Sequence, residues 1–184
     1  MYIREFSSLL AYHFWLSRDT VRPVIELTSQ VEAWYQTELA RWIQNTSDFT
    51  GLKLVGINRT QSDRTKADVV MARGHNQIKI ELKHIVLTEN FTLSFPLSDT
   101  GGKLFVELDK VSNQKRDGLL TFYHQPHNSR PARIWKGDKV IQKYYDNRHI
   151  PQNQQSLEEV SRGDAPFPEA TLVVSLICRK GESI

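Results

Sequence analysis

Residues 67–84 constrain the fold more than any other part of this sequence. Residues 69–71 (Val-Val-Met) favour a strand, and residues 74–76 (Gly-His-Asn) favour a turn. From residue 78 to residue 83, apolar and charged side chains alternate, which is typical of a strand with one buried face. The stretch therefore predicts a β-hairpin.

Such a hairpin would bring Asp68, at the start of its first strand, close to Glu81 and Lys83 in its second strand. Two carboxylates supply hard oxygen ligands for Mg²⁺, which keeps several waters and takes further ligands from a phosphate. A bound metal polarises the phosphoryl oxygen, and an ammonium can orient the attacking water or stabilise developing charge. The pattern indicates metal-dependent phosphodiester hydrolysis. The alternative is a solvated charged face on an edge hairpin.

Asp68 followed by Glu81-Leu82-Lys83 resembles the PD-(D/E)xK nuclease superfamily, which includes restriction endonucleases, Holliday-junction resolvases and repair nucleases. The resemblance covers roughly residues 31–122, and Ala67 stands where the proline of the motif would be. It implies that Asp68, Glu81 and the carbonyl oxygen of Leu82 hold Mg²⁺, with Mn²⁺ as an alternative ion. It implies that Lys83 positions or activates water, and that DNA is cleaved. The implied fold is α/β, a restriction-endonuclease-like core with a central mixed sheet flanked by helices.

A helix before the hairpin carries two glutamates near its apolar stripe. Placing residues 100° apart puts Glu38 and Glu32 within or beside the side that should be buried, where an unpaired carboxylate is expensive. In the resembled superfamily such a helix often adds an acidic residue to the metal site. Glu38 is the first candidate for that role and Glu32 the second; alternatively, either side chain reaches water from the edge of the stripe.

The remaining patterns predict an α/β order within a single domain of residues 1–184. We expect helices at about residues 6–16, 20–45 and 102–113, and strands at 52–57, 118–123 and 171–178. Residues 85–97 predict a further strand or an inserted hairpin, and residues 150–169 predict a long loop with one helical turn. These elements divide into a helical N-terminal part (1–47), a catalytic core (52–124) and a final part (125–184) with a basic segment, the loop and a late strand.

Two basic stretches are candidate DNA-binding surfaces. One is the polar loop 58–66, and the other runs from residue 110 to residue 149, where nine Lys or Arg residues stand against three Asp residues. Cations release counterions from phosphates, and the interleaved Trp135, Tyr144 and Tyr145 suggest stacking on bases. The alternative for the loop is that it is merely solvated, and the alternative for the second stretch is a solvated basic face with its aromatic residues in the core. The candidate DNA-binding residues are Arg59, Arg64, Lys115, Arg116, Arg133, Lys136, Lys139 and Lys143.

Composition narrows the class of protein. The formal net charge is +3 and the sequence pI about 9.0, which is compatible with nucleic acid as a partner. Cys178 is the one cysteine, so no internal disulfide can form, and its apolar surroundings predict a small core side chain. No stretch is long enough to span a membrane, and we expect a cytoplasmic protein. His124 and His127 lack a third nearby ligand, so a zinc site is not expected.

The leading interpretation is a Mg²⁺-dependent DNA endonuclease, with a type II restriction enzyme as one form of it. Cutting both strands of a duplex needs two active sites, which predicts a homodimer. Two other classes stay open: a non-catalytic DNA-binding or structural protein that keeps the nuclease fold, and an interaction protein whose basic segment meets an acidic partner.

Overall fold

The computed structural model describes residues 3–20, 31–57, 67–86, 102–127, 136–168 and 170–181. Its elements, in chain order, are helices α1 (Ile3–Leu16) and α2 (Val31–Thr50), strands β1 (Leu52–Ile57), β2 (Val69–Arg73) and β3 (Asn76–Val86), helix α3 (Gly102–Ser112), strand β4 (Gly118–Pro126), helix α4 (Gly137–Arg148), and strands β5 (Leu157–Pro166) and β6 (Ala170–Arg179). A 3-10 turn, Gln152–Gln154, lies between α4 and β5.

The described strands form one six-stranded sheet in the order β1-β2-β3-β4-β6-β5. β3 and β4 are parallel, and every other neighbouring pair is antiparallel. Parallel neighbours need a crossover connection, and α3 lies on the connection between β3 and β4. The prediction of an α/β fold with a central mixed sheet is therefore confirmed. The finer assignment, a restriction-endonuclease-like core, stays a prediction.

The predicted hairpin is formed by β2 and β3. Gly74 begins its turn with φ +60°, a left-handed conformation that glycine adopts without steric cost. Val69 pairs with Ile80 and Met71 with Ile78, so these apolar residues share one face of the sheet. Because side chains alternate along a strand, Asp68, Glu81 and Lys83 belong to the opposite face.

Helices cover both faces of the sheet. On the face of Ile80, α1 and α2 pack through aromatic and aliphatic side chains; Phe14 makes edge-to-face contacts with Tyr35 and Phe122, and Tyr35 stacks on Phe122 with ring centroids 4.1 Å apart. On the face of Glu81, α3 and α4 pack on β4 and β6. That second core consists mainly of Leu104, Phe105, Leu108, Val111, Leu119, Tyr123, Val140, Ile141, Tyr144, Tyr145, Val173 and Ile177.

Most predicted elements are confirmed. The first helix, the strand at 52–57, the helix at 102–113, the strand at 118–123 and the buried late strand all form, and Cys178 is fully buried in that late strand. Helix α2 continues beyond the predicted end at residue 45 to Thr50, and Gly51 follows it with φ +71°. The start of the predicted second helix, the loop 58–66 and most of the stretch 85–97 lie outside the described residues.

The prediction of a long loop at residues 150–169 is wrong, because β5 occupies most of it. The inward positions of β5 include Ser161, Gly163 and Ala165, which are small rather than β-branched. Small residues are needed there because α1 lies very close to the strand: a Cβ on Gly163 would clash with the backbone of Ser7. The backbone N–H of Ser7 also donates to the Ser161 hydroxyl at 2.9 Å.

Candidate active site

Asp68 is held at the start of β2 by contacts on two sides. Its Oδ2 accepts a hydrogen bond of 2.8 Å from the backbone N–H of Leu82. Its backbone carbonyl accepts a hydrogen bond of 2.5 Å from the side-chain amide of Gln36 in α2. The hairpin and the preceding helix therefore fix Asp68 together, beside the strand that carries Glu81.

Glu81 lies at the centre of a cluster of charged side chains. Its carboxyl group is hydrogen-bonded to that of Asp68. Its Oε1 also accepts hydrogen bonds from Lys110 Nζ at 2.9 Å and from Arg116 Nε at 2.8 Å. Glu81 is 3% exposed and Arg116 is 6% exposed, so this ion pair is buried. The structure thus brings together the two carboxylates that the sequence predicted to be neighbours.

The two carboxyl groups respond differently to this environment. Burial, together with the hydrogen bond that the protonated Asp68 donates to Glu81, raises the pKa of Asp68 to about 7, although the Leu82 N–H opposes the shift. Burial also acts to raise the pKa of Glu81, but the hydrogen bond from Asp68 and the nearby Lys110 and Arg116 outweigh it, so that pKa is lowered. Two carboxyl groups in contact cannot both ionise easily, because their negative charges repel each other. Glu81 therefore holds the negative charge, and Asp68 takes the proton.

Lys83 is paired with Glu32, the second of the two helix glutamates. Lys83 Nζ lies 2.9 Å from Glu32 Oε2, which also accepts a weaker hydrogen bond of 3.3 Å from the backbone N–H of His84. The charge of Glu32 also acts to raise the pKa of Asp68, as a nearby like charge does. Glu32 therefore belongs to the charged cluster on the hairpin.

Glu38, the first candidate for the additional acid, lies in a different environment. It is 7% exposed, and Arg41 Nη2 lies 2.5 Å from its Oε2, while His13 Nε2 is 3.9 Å away. Its burial was expected from the helical stripe, and a basic partner compensates its charge. The contacts of Glu38 are thus with α1 and with its own helix, while Glu32 contacts the predicted catalytic lysine.

Glu107 in α3 is a member of the cluster that the sequence did not indicate. Its Oε2 lies 2.5 Å from Lys110 Nζ. Burial raises the pKa of Glu107, and the hydrogen bond with Lys110 opposes this shift. The charge of Glu81 also acts to raise that pKa, whereas the charge of Lys83 acts to lower it. The available signal was its position beside the apolar stripe of α3, three residues before Lys110. Nothing in the chain order links it to the hairpin.

The carboxylate oxygen atoms of this cluster are ligands that suit a hard divalent cation. Mg²⁺ is commonly held by one or two carboxylates, with water and phosphate completing its shell, and Asp68 and Glu81 supply such a pair. Within the described ranges, however, no three His, Cys, Asp or Glu side chains are grouped so that they could hold one ion. The Leu82 side chain is buried in the core and its N–H is bound to Asp68; the role of its carbonyl oxygen stays a prediction.

The predicted DNA-binding residues are divided among several places. Lys115, in the loop after α3, is exposed, and so are Lys136, Lys139 and Lys143, which precede α4 or lie along it. Arg116 is buried against Glu81. Arg59, Arg64 and Arg133 lie outside the described residues.

The expectation that Tyr144 and Tyr145 stack on bases is wrong. They are 2% and 3% exposed and belong to the core between α3, α4 and the sheet. The Tyr144 hydroxyl donates to Asp109 Oδ1 at 2.9 Å, and the Tyr145 hydroxyl accepts a hydrogen bond from the backbone of Leu157. Trp135 lies outside the described residues.

Two neighbouring histidines, the buried His124 and the partly buried His84, lie on the other face of the sheet. The ring centroids of His84 and His124 are 5.3 Å apart, and the Tyr35 hydroxyl is hydrogen-bonded to His124 Nε2 at 2.6 Å. Burial lowers the pKa of His84 to about 4 and that of His124 to about 3, so both rings are neutral near pH 7. His127 is exposed, so it does not share the environment of His124.

Among the helices that the structure describes, none combines the length and the apolar character needed to cross a bilayer. Comparison of the chain with models of protein families, with curated protein sequences and with solved structures finds no match. The geometry of the charged cluster is therefore the basis for any functional conclusion.

Proposed function

We propose that this protein is a Mg²⁺-dependent DNA endonuclease that hydrolyses phosphodiester bonds through the cluster around Asp68, Glu81 and Lys83. The observation that supports it most directly is the contact between the Asp68 and Glu81 carboxyl groups on one hairpin. A partly buried pair of acids beside a lysine is costly to a fold, and such arrangements are concentrated at functional sites.

Each side chain has a separate part in this proposal. A bound Mg²⁺ would polarise the phosphoryl oxygen and supply an activated water. Asp68 and Glu81 would hold the ion, and Asp68 would release its proton as it does so. Lys83 would orient the attacking water or stabilise the charge that develops on the phosphate. Glu32, 2.9 Å from Lys83, would position the ammonium, and we assign it this part in preference to Glu38.

The proposal extends to a type II restriction activity, to a homodimer and to a cytoplasmic location. Two copies of the cluster would cut the two strands of a duplex. Sedimentation of the protein with and without duplex DNA tests the dimer. An adjacent methyltransferase gene would favour restriction over junction resolution or repair.

A direct test is incubation of linear, supercoiled and branched DNA with the protein and either Mg²⁺ or Mn²⁺. Asp68→Asn and Lys83→Ala should each reduce the cleavage rate by about 100-fold or more while DNA binding persists. Asp48→Asn and Arg4→Ala are the matched controls, because both side chains are exposed and lie on the helices of the opposite face. Undiminished cleavage by either test variant would remove that residue from the mechanism.

A second candidate function is a DNA-binding protein that keeps this architecture without cutting. The contacts of Glu81 favour it, because Lys110 and Arg116 already neutralise the carboxylate that would hold the ion. Salt-sensitive DNA binding with no product in Mg²⁺ or Mn²⁺ would support this alternative over the endonuclease.

A further inference from the structure

A cleft of about 640 Å³ lies beside the C-terminal half of α3, next to the charged cluster. Lys79, Lys110, Lys115 and Arg116 bring four positive charges to its lining, and Asp109 brings the one negative charge among the residues that line it. Lys110 and Arg116 also contact Glu81, so two residues of the cleft lining belong to the charged cluster as well.

The cations of the cleft are held by the turn that follows α3. The backbone N–H groups of Lys115 and Arg116 both donate to the carbonyl of Lys110, at 2.8 Å and 3.2 Å. Gln114 allows this return with φ +61°, a left-handed conformation. The turn brings residues 115 and 116 back beside Lys110, and the cleft therefore has a defined wall.

The same turn is fixed to β3 through Asp117. The Asp117 N–H donates to the carbonyl of Lys79 at 2.9 Å, and the Asp117 carboxylate accepts from the Lys79 N–H at 2.6 Å. These bonds hold Lys79 and Lys115 at the same cleft, although they come from different elements.

The charges lining the cleft are compensated to different extents. Asp109 is bound by Arg148, with Nη2 2.7 Å from Oδ2, so its charge is already balanced. Lys79 and Lys115 are exposed and form no ion pair within the described part of the chain. The two lysines are therefore positioned to accept an anion from outside the protein.

The shape and chemistry of the cleft favour a phosphate backbone over a base. Its lining contains lysine and arginine side chains, amide side chains, the Asp109 carboxylate and the half-exposed Val106, and no aromatic ring among the described residues. Stacking on bases needs aromatic rings, whereas phosphate contacts need cations and carry no sequence information.

We propose that this cleft binds the sugar–phosphate backbone of a DNA strand beside the Asp68–Glu81 pair. Its affinity for the backbone does not depend on the base sequence of the DNA. The inference rests on the proposed function for its choice of ligand. Lys79 and Lys115 contact the phosphates that flank the reacting one. Lys110 and Arg116 join this binding surface to the carboxylates.

The test measures affinity for two duplexes of unrelated sequence over a range of salt concentrations, without divalent cations. Lys79→Gln combined with Lys115→Gln should weaken binding of both duplexes equally, by about tenfold at moderate salt, because two phosphate contacts are lost. The slope of log affinity against log salt should fall in magnitude by about 1.8, since each phosphate contact contributes about 0.9. Lys79→Arg with Lys115→Arg should retain wild-type binding, because the charge is preserved.

The control removes two charges from the opposite face of the sheet, by Arg4→Gln with Arg18→Gln. An equal loss in this control, an unchanged salt slope in the lysine variant, or a loss for one duplex alone would overturn the proposal. Cleavage assays on the same proteins separate the two hypotheses. Cleavage with no dependence of binding on the lysines refutes the cleft, whereas lysine-dependent binding without cleavage refutes the endonuclease and supports the cleft.

Discussion

The carboxyl groups of Asp68 and Glu81 are hydrogen-bonded to each other, although thirteen positions separate the two residues in the chain. Lys110 and Arg116 contact Glu81 and keep it ionised, so the shared proton belongs to Asp68, whose pKa is raised to about 7. Above pH 7 two negative charges meet in a partly buried place. The folded protein therefore bears a cost at this pair that any cation bound there would relieve.

Asp68→Asn should stabilise the folded protein above pH 7. The folded-state pKa of Asp68, about 7, is above its ordinary value of 3.8, so wild type loses stability as pH rises between these values. An asparagine can still accept the Leu82 hydrogen bond and carries no charge. We expect a gain of about 1 kcal/mol at pH 8, after discounting for solvent screening, which shrinks as pH falls toward 4. Urea denaturation at pH 5 and pH 8 measures it; Asp48→Asn serves as control. A variant less stable than wild type at pH 8 contradicts the assignment.

The two neighbouring histidines, His84 and His124, should make the fold sensitive to acid. The pKa values of His84 and His124 in the folded state, about 4 and about 3, lie below the ordinary value of 6.5. The unfolded chain therefore takes up protons first as pH falls below 6.5, and stability decreases by up to about 1.4 kcal/mol per pH unit for each ring. His124→Gln keeps a hydrogen-bonding group for Tyr35 and should flatten this slope. Because Asp68 acts in the opposite direction over the same range, the comparison is made in Asp68→Asn protein. An unchanged slope would show that His124 does not titrate as described.

The hairpin could be predicted from the sequence because its signals are local. Alternation from Ile78 to Lys83 fixes which side chains share a face, and the turn at Gly74 fixes the register that places Asp68 near Glu81. The partners of Glu81 could not be predicted in this way. Lys110 and Arg116 reach it only through the packing of α3 on the sheet, which depends on contacts between residues far apart in the chain.

Strand β5 and the two helix glutamates are further cases in which contacts between residues far apart in the chain could not be predicted from the sequence. The inward residues of β5 are small because α1 lies close, so the strand lacks the β-branched pattern that identifies strands in a sequence. A helical wheel places Glu32 and Glu38 near one stripe. It cannot tell that Glu32 meets Lys83 while Glu38 meets Arg41, because that difference depends on which end of α2 lies over the hairpin.

Gly163→Ala should destabilise the protein strongly. A Cβ at this position would overlap the backbone of Ser7 and Ser8, so α1 would have to move away from β5. Overpacking of this kind typically costs about 1–3 kcal/mol, and the hydrogen bond between the Ser7 N–H and the Ser161 hydroxyl would be lost as well. Gly56→Ala is a matched control, because it lies in a strand with no atom within 4 Å of the added Cβ. Thermal melts of both variants give the comparison, and equal melting temperatures would contradict the close approach of α1.

Lys110→Met should increase the affinity of the protein for Mn²⁺. Lys110 Nζ lies 2.9 Å from Glu81 Oε1, where it competes with any cation for the same carboxylate. Because the Lys110 side chain is about a quarter exposed, solvent weakens its attraction to Glu81. We therefore expect the loss of the Lys110 charge to improve the free energy of Mn²⁺ binding by about 1 kcal/mol, or about fivefold in affinity. Titration calorimetry of the variant against wild type measures the change, and Arg4→Met controls for the loss of one positive charge. Asp68→Asn should have the opposite effect, because it removes a ligand. Equal affinities in all four proteins would show that the ion does not bind at this pair, since neither a competing cation nor a ligand would then influence it.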